Sequence, residues 1–195
     1  MRRFARILPF LALAACGQEV DRGNEPAAAE APVIETSRSA IRLAAEARAS
    51  RFTQLDDTAC GAERIIEETG DWDRDCKGAN GYALEWGSGD LREELTIIHG
   101  KARTNLEIPT IVAGGAFDAL GRTVEWRGPS GSAPDVLVVR VHVADAEGKN
   151  DSGRLVLARL GNSPCIVAVV APAADQSDRA RSIADGKLPS CLAAD

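Results

Sequence analysis

The segment "DWDRDCKGANGY" places Asp71, Asp73 and Asp75 at alternate positions, the spacing at which carboxylates enter a calcium-binding loop. A hard divalent cation takes such oxygen ligands, so these three aspartates are the candidate metal ligands. The pattern then fails. The sixth loop position, which needs glycine for its bend, holds Cys76, and the twelfth, which supplies a bidentate glutamate, holds Tyr82. Two coordinating oxygens are missing, and the expectation is a solvated acidic loop with no metal and no other cofactor. His99 and His142 are the acid–base candidates near neutral pH. Each ends or interrupts an apolar run and reads as a rim or surface group. No Gly-x-Ser-x-Gly elbow and no Gly-x-Gly-x-x-Gly loop is present. With 29 acidic residues in the chain, a pair of hydrolytic carboxylates leaves no local signature. Trp86, Trp126 and Arg127, in "EWGSGDL" and "EWRGPSG", are binding candidates, because such residues anchor interfaces when they stand at hairpin tips. Packing in the core is the competing place for the two tryptophans.

The elements that must position these residues follow from periodicity. "SRSAIRLAAEARAS" has helical spacing and good helix formers, which predicts a short N-terminal helix. "YALEWGSGDLREELTIIHG" alternates Tyr82, Leu84 and Trp86, turns at Gly87-Ser88-Gly89-Asp90 and returns through residues 91–98, a hairpin. "TVEWRG" is a further strand. "DVLVVRVHVAD" sets Leu137, Val139, Val141 and Val143 on one face, and "GRLVLARLG" and "CIVAVVA" follow across turns too short for anything but antiparallel neighbours. "AADQSDRARSIADGK" predicts a closing helix with Asp175 or Ser177 as cap and Gly186 as stop. The fold class expected is α+β and β-rich, an antiparallel meander open to barrel-like closure, with a short helix at each end.

The first residues carry an address. Arg2, Arg3 and Arg6 precede a short apolar run that ends "LALAACGQ", too short and too interrupted to span a bilayer. Leu13-Ala14-Ala15-Cys16 resembles the lipobox of bacterial lipoproteins. That resemblance implies cleavage after residue 15, lipidation of Cys16, and acyl chains that hold the protein to a membrane. Gly17 in place of aspartate implies outer-membrane sorting by the same resemblance; a soluble periplasmic protein is the alternative. Residues 16–38, rich in Ala, Glu and Pro, read as a flexible tether, leaving 39–195 as one domain.

Four cysteines remain, Cys60, Cys76, Cys165 and Cys191, an even set that suits an oxidising compartment. They allow three pairings, and the sequence does not choose among them. Cys60–Cys76 with Cys165–Cys191 is the expectation, because each closes a short loop worth about 3 kcal/mol. No Cys-x-x-Cys pair favours zinc instead. Loss of the three leader arginines leaves 20 bases against 29 acids, a charge that disfavours nucleic acid and favours a basic partner.

The succession "GDLR", then Phe117, Leu120-Gly121, "EWRG" and a cysteine opening an aliphatic strand is similar to a group of uncharacterised exported proteins of Gram-negative bacteria. The likeness spans roughly residues 52–191 and implies address and extent only. The functional expectation is a periplasm-facing lipoprotein whose domain binds an envelope component, a basic protein by its charge, without catalysis. A carboxylate-based envelope hydrolase and a passive structural lipoprotein are the alternatives.

Overall fold

The computed structural model describes residues 47–145, 147, 148 and 150–193. Cys16, the leader, the tether and most of the predicted N-terminal helix lie outside them. Among the described residues the chain forms two antiparallel five-stranded sheets and two short helices. The first sheet runs in the order β1 (Arg48–Gln54), β7 (Asp118–Pro129), β8 (Val136–Ala144), β9 (Asn150–Arg159), β10 (Cys165–Val170). The second is a plain meander of β2 (Arg64–Ile66), β3 (Asp71–Lys77), β4 (Tyr82–Gly89), β5 (Arg92–His99) and β6 (Ala102–Asn105). Neither closes into a barrel. Helix α1 (Ile108–Ile111) links the two sheets, and α2 (Gln176–Asp185) closes the fold with Asp175 and Gly186 at its ends, as the sequence predicts.

The second sheet is built by turns at ten-residue intervals. Asn80-Gly81 and Asp90-Leu91 both take positive φ at both residues, and Gly100 opens the third two-residue loop with φ 61°. Paired positive φ matches the right-handed twist of the flanking strands, and Asn-Gly adopts it cheaply. Leu91 does not: a bulky residue in left-handed backbone carries strain of about 1 kcal/mol or more, and its side chain is 71% exposed.

Inward rows of the two sheets make one core. Leu84, Trp86, Leu95 and Ile97 of the second sheet belong with Val124, Trp126, Leu137, Val139, Val141 and Val156 of the first. The outer face of the first sheet buries a second cluster, Val136, Val138, Leu157, Val167 and Val170, beneath Ala180 and Ala184 of α2. Strand β8 is therefore apolar on both faces along its first half. Three sequence expectations need correction. Residues 48–50, assigned to the N-terminal helix, open β1, because seven antiparallel pairs to β7, from Arg48↔Pro129 to Gln54↔Thr123, outweigh local helix propensity. "DWDRDCK", expected as a loop, is strand β3, with Trp72 and Cys76 on its inner face. The β4–β5 turn falls at Asp90-Leu91, and Gly87-Ser88-Gly89 continue the strand.

Candidate functional site

Alternation along β3 sends Asp71, Asp73 and Asp75 together onto the outer face of the second sheet. Cross-strand pairing lines up Asp73, Gly87 and Glu94 in one row and Asp75, Glu85, Thr96 and Asn105 in the next. Gly87 has no side chain because none fits: a Cβ there would stand 2.7 Å from the Trp72 carbonyl oxygen. Gly89 is likewise bare, with the Asp71 carboxylate lying over it. Two missing side chains in the middle of a sheet face leave a trough of about 250 Å³, walled by Asp71, Asp73, Glu85, Glu94 and Thr96.

Its electrostatics are uneven. Arg64 pairs with Asp73, with Asp75 at 2.7 Å and with Glu85 at 3.3 Å. Arg103 also pairs with Glu85. The Arg64 hydrogen bond holds the Asp75 carboxyl below its ordinary range. Among the described residues Asp71 accepts only the Asp90 backbone N–H, at 3.3 Å, and Glu94 accepts the Asn105 amide at 2.6 Å. Among the described residues neither has a cation partner. The surrounding segment adds to the field, since residues 55–107 hold thirteen acidic and six basic side chains, whereas residues 118–193 hold nine of each. A negative trough rimmed by fixed carboxylates attracts ammonium or guanidinium groups. It is less suited to a single metal ion. Alternate strand residues stand about 7 Å apart, and among the described residues no three His, Cys, Asp or Glu are grouped to hold a metal.

The carboxylate with the strongest perturbation, Asp118, lies elsewhere, where the sheets meet. Glu93 on β5 donates its backbone N–H to Asp118 Oδ1 at 2.9 Å, and Leu120 on β7 donates its own to Glu93 Oε2 at 2.8 Å. Trp86 Nε1 donates to the same Glu93 oxygen at 3.0 Å, and Arg122 approaches both oxygens at 3.4 Å. Each sheet thus donates a main-chain hydrogen to the other's acid. Asp118 is 5% exposed, and burial raises its pKa to about 6. Its Oδ2 has no hydrogen-bond partner among the described residues. The pair joins the sheets.

The remaining candidates are dispersed. Trp86 and Trp126 are 6% and 1% exposed, in the core and not at hairpin tips. Trp86 meets Trp72 edge to face at 4.8 Å, and Arg122 lies 4.3 Å from its ring centre. Arg127 sits on the outer face of the first sheet, held by Asp185 of α2 through two 2.6 Å hydrogen bonds. His99 stacks on Tyr82 with ring centres 4.3 Å apart, and His142 lies between Ala119 and Gly153 on neighbouring strands. The histidines are not brought together with the trough. Both disulfides form in the expected pairing, Cys60–Cys76 and Cys165–Cys191. The second ties the C-terminal tail to β10, beside a Leu192 N–H to Ile166 carbonyl bond of 2.8 Å. Sequence reasoning found the aspartates and missed Glu94, Gly87 and Gly89. The available signal was a period of two, which places Asp71, Asp73 and Asp75 on one strand face. No family model, no curated protein and no solved structure matches the chain.

Proposed function

We propose that this chain is a lipid-anchored envelope protein whose domain binds a basic partner through the acidic trough on its second sheet. The observation that carries the reading is a pair of carboxylates, Asp71 and Glu94, that have no cation partner among the described residues and flank a glycine floor on the strongly acidic side of the fold. Two disulfides are compatible with an extracytoplasmic domain, and among the described residues no helix is long and apolar enough to cross a membrane. Cys16 would then hold the protein by acyl chains, facing the periplasm from the outer membrane, with residues 16–38 as spacer. The partner is a basic envelope protein or a Lys/Arg-rich segment of one, attracted at long range and released by salt.

Lysozyme, as a defined basic protein, serves as the probe. The reading expects binding at low ionic strength that weakens as salt rises. Asp71→Asn with Glu94→Gln lowers affinity at least fivefold, and Asp178→Asn, a loss of one charge on α2, leaves it within twofold. Equal binding by all three proteins would remove the trough from the mechanism. Anchoring is tested separately. Cys16→Ser transfers the protein from the membrane fraction to the soluble fraction, and unchanged membrane retention refutes the lipid.

A further inference from the structure

A second hollow lies on the outer face of the first sheet, beside α2, where the short helix leaves the β1 and β7 side of the face uncovered. It encloses about 330 Å³. Its apolar lining is Phe52, Val138, Leu155 and Ala180, and its charged lining includes Arg140, Arg181 and Glu125. Val138 and Ala180 are buried, whereas Phe52 is 55% exposed.

Arg140 is the informative residue. It is half-buried, and its Nη1 donates to the Gly153 carbonyl and to Gln176 Oε1, both at 2.9 Å. Among the described residues no carboxylate pairs with it. Two glycines shape its berth. A Cβ on Gly121 would stand 2.9 Å from Arg140 Cβ, and one on Gly153 would stand 2.7 Å from Nη1. The guanidinium is therefore held in one orientation, with its charge uncompensated. The neighbouring ions do not supply the missing anion. Glu125 accepts from Ser50 Oγ and faces Arg181 at 3.5 Å and Arg127 at 4.0 Å. Arg122 is drawn away to Glu93 and the Trp86 ring.

We infer that this hollow binds a single-chain amphiphile with an anionic head, a carboxylate seated on Arg140 and Arg181 with its hydrocarbon over Phe52, Val138, Leu155 and Ala180. A bare anion would neutralise Arg140 and leave the apolar floor wet. A neutral hydrocarbon would cover the floor and further desolvate an unpaired cation. An amphiphile satisfies both requirements, and a guanidinium fork matches a carboxylate in a bidentate fashion. The site lies on the sheet that does not carry the acidic trough, and it stands whether or not that trough binds a partner.

Isothermal titration of the purified protein with octanoate, acetate and 1-octanol tests the assignment. Octanoate saturates one site, and acetate and 1-octanol bind at least tenfold more weakly. Arg140→Gln weakens octanoate at least tenfold, with circular dichroism confirming that the variant is folded. Because Arg140 also braces α2 through Gln176, the double variant Phe52→Ala, Arg181→Gln provides the second arm. Both of its side chains are about half exposed, so the change leaves the core intact, and it weakens octanoate at least fivefold. Octanoate binding no tighter than acetate or octanol, or undiminished in the double variant, overturns the proposal.

Discussion

Replacing Asp118 by asparagine changes how stability depends on pH, and the direction follows from one buried oxygen. Burial is the largest influence on Asp118, the nearby Glu93 carboxylate opposes its ionisation further, and its pKa rises from 3.8 to about 6. The folded state therefore holds a proton that the unfolded chain would release. The favourable contribution of this proton is fully present below pH 4 and disappears as pH climbs through 6. A gap of about two pH units corresponds to roughly 3 kcal/mol, taken as an upper figure. The amide side chain of the Asp118→Asn variant keeps an oxygen to accept the Glu93 N–H and has nothing to ionise. Any fixed cost of its nitrogen, which replaces the unpartnered Oδ2, is independent of pH. The wild-type stability minus that of Asp118→Asn should thus fall by about 1–3 kcal/mol between pH 4 and pH 7.5, and stay level above that. Urea unfolding at half-unit pH steps measures the difference directly. A difference that is flat with pH, or one that grows in favour of the wild type as pH rises, refutes the reasoning. Asp56, Asp75 and Asp185, whose pKa values are lowered by hydrogen bonds, lose stability only as pH falls below about 4, and they cancel in the comparison.

Two further outcomes are expected. Arg159 Nη2 lies 3.2 Å from Cys191 Sγ and 3.6 Å from Cys165 Sγ. A guanidinium there stabilises the departing thiolate, so dithiothreitol should open Cys165–Cys191 before the more enclosed Cys60–Cys76, and Arg159→Gln should slow the first opening about 3- to 10-fold. Timed alkylation and peptide mass spectrometry read both bonds, and the opposite order counts against the effect. Gly87→Ala drives a methyl into the Trp72 carbonyl on the neighbouring strand and should cost about 2–3 kcal/mol in urea unfolding; a cost below 0.5 kcal/mol, on the order of an ordinary surface change, would show that β3 yields there.

What the sequence made legible depended on how local the deciding interaction was. Strands β8, β9 and β10 are long aliphatic runs joined by short turns, so their order and direction follow from neighbours in the chain. Cap and stop residues located α2 for the same reason, and short loop lengths suggested the cysteine pairing. Strand β3 was hidden because charged residues fill its outer face, leaving Trp72 and Cys76 as the inward signal. The start of strand β1 was hidden because its partner, β7, begins more than sixty residues after it ends, while residues 48–50 continue a helix-favouring segment. The trough was half visible. Its aspartates stood out, but Gly87 has the composition of a turn, and only the approach of the Trp72 backbone explains why glycine sits in mid-strand. Arg140 gave no signal at all, since its isolation depends on where α2 stops covering the sheet.

The placement of β1 has a mechanical consequence. Strand β1 is an edge strand and the first described element, so tension applied ahead of it acts first on the Arg48 end of the β1–β7 ladder. Neither disulfide crosses that joint, and pulling from a strand end opens its rungs one after another. The pairing of Arg48 with Asp135, and its 3.0 Å contact with Asp185 of α2, form the latch that must yield before peeling begins. The first element to leave under load is therefore the strand that supplies Phe52, and with it one wall of the Arg140 hollow.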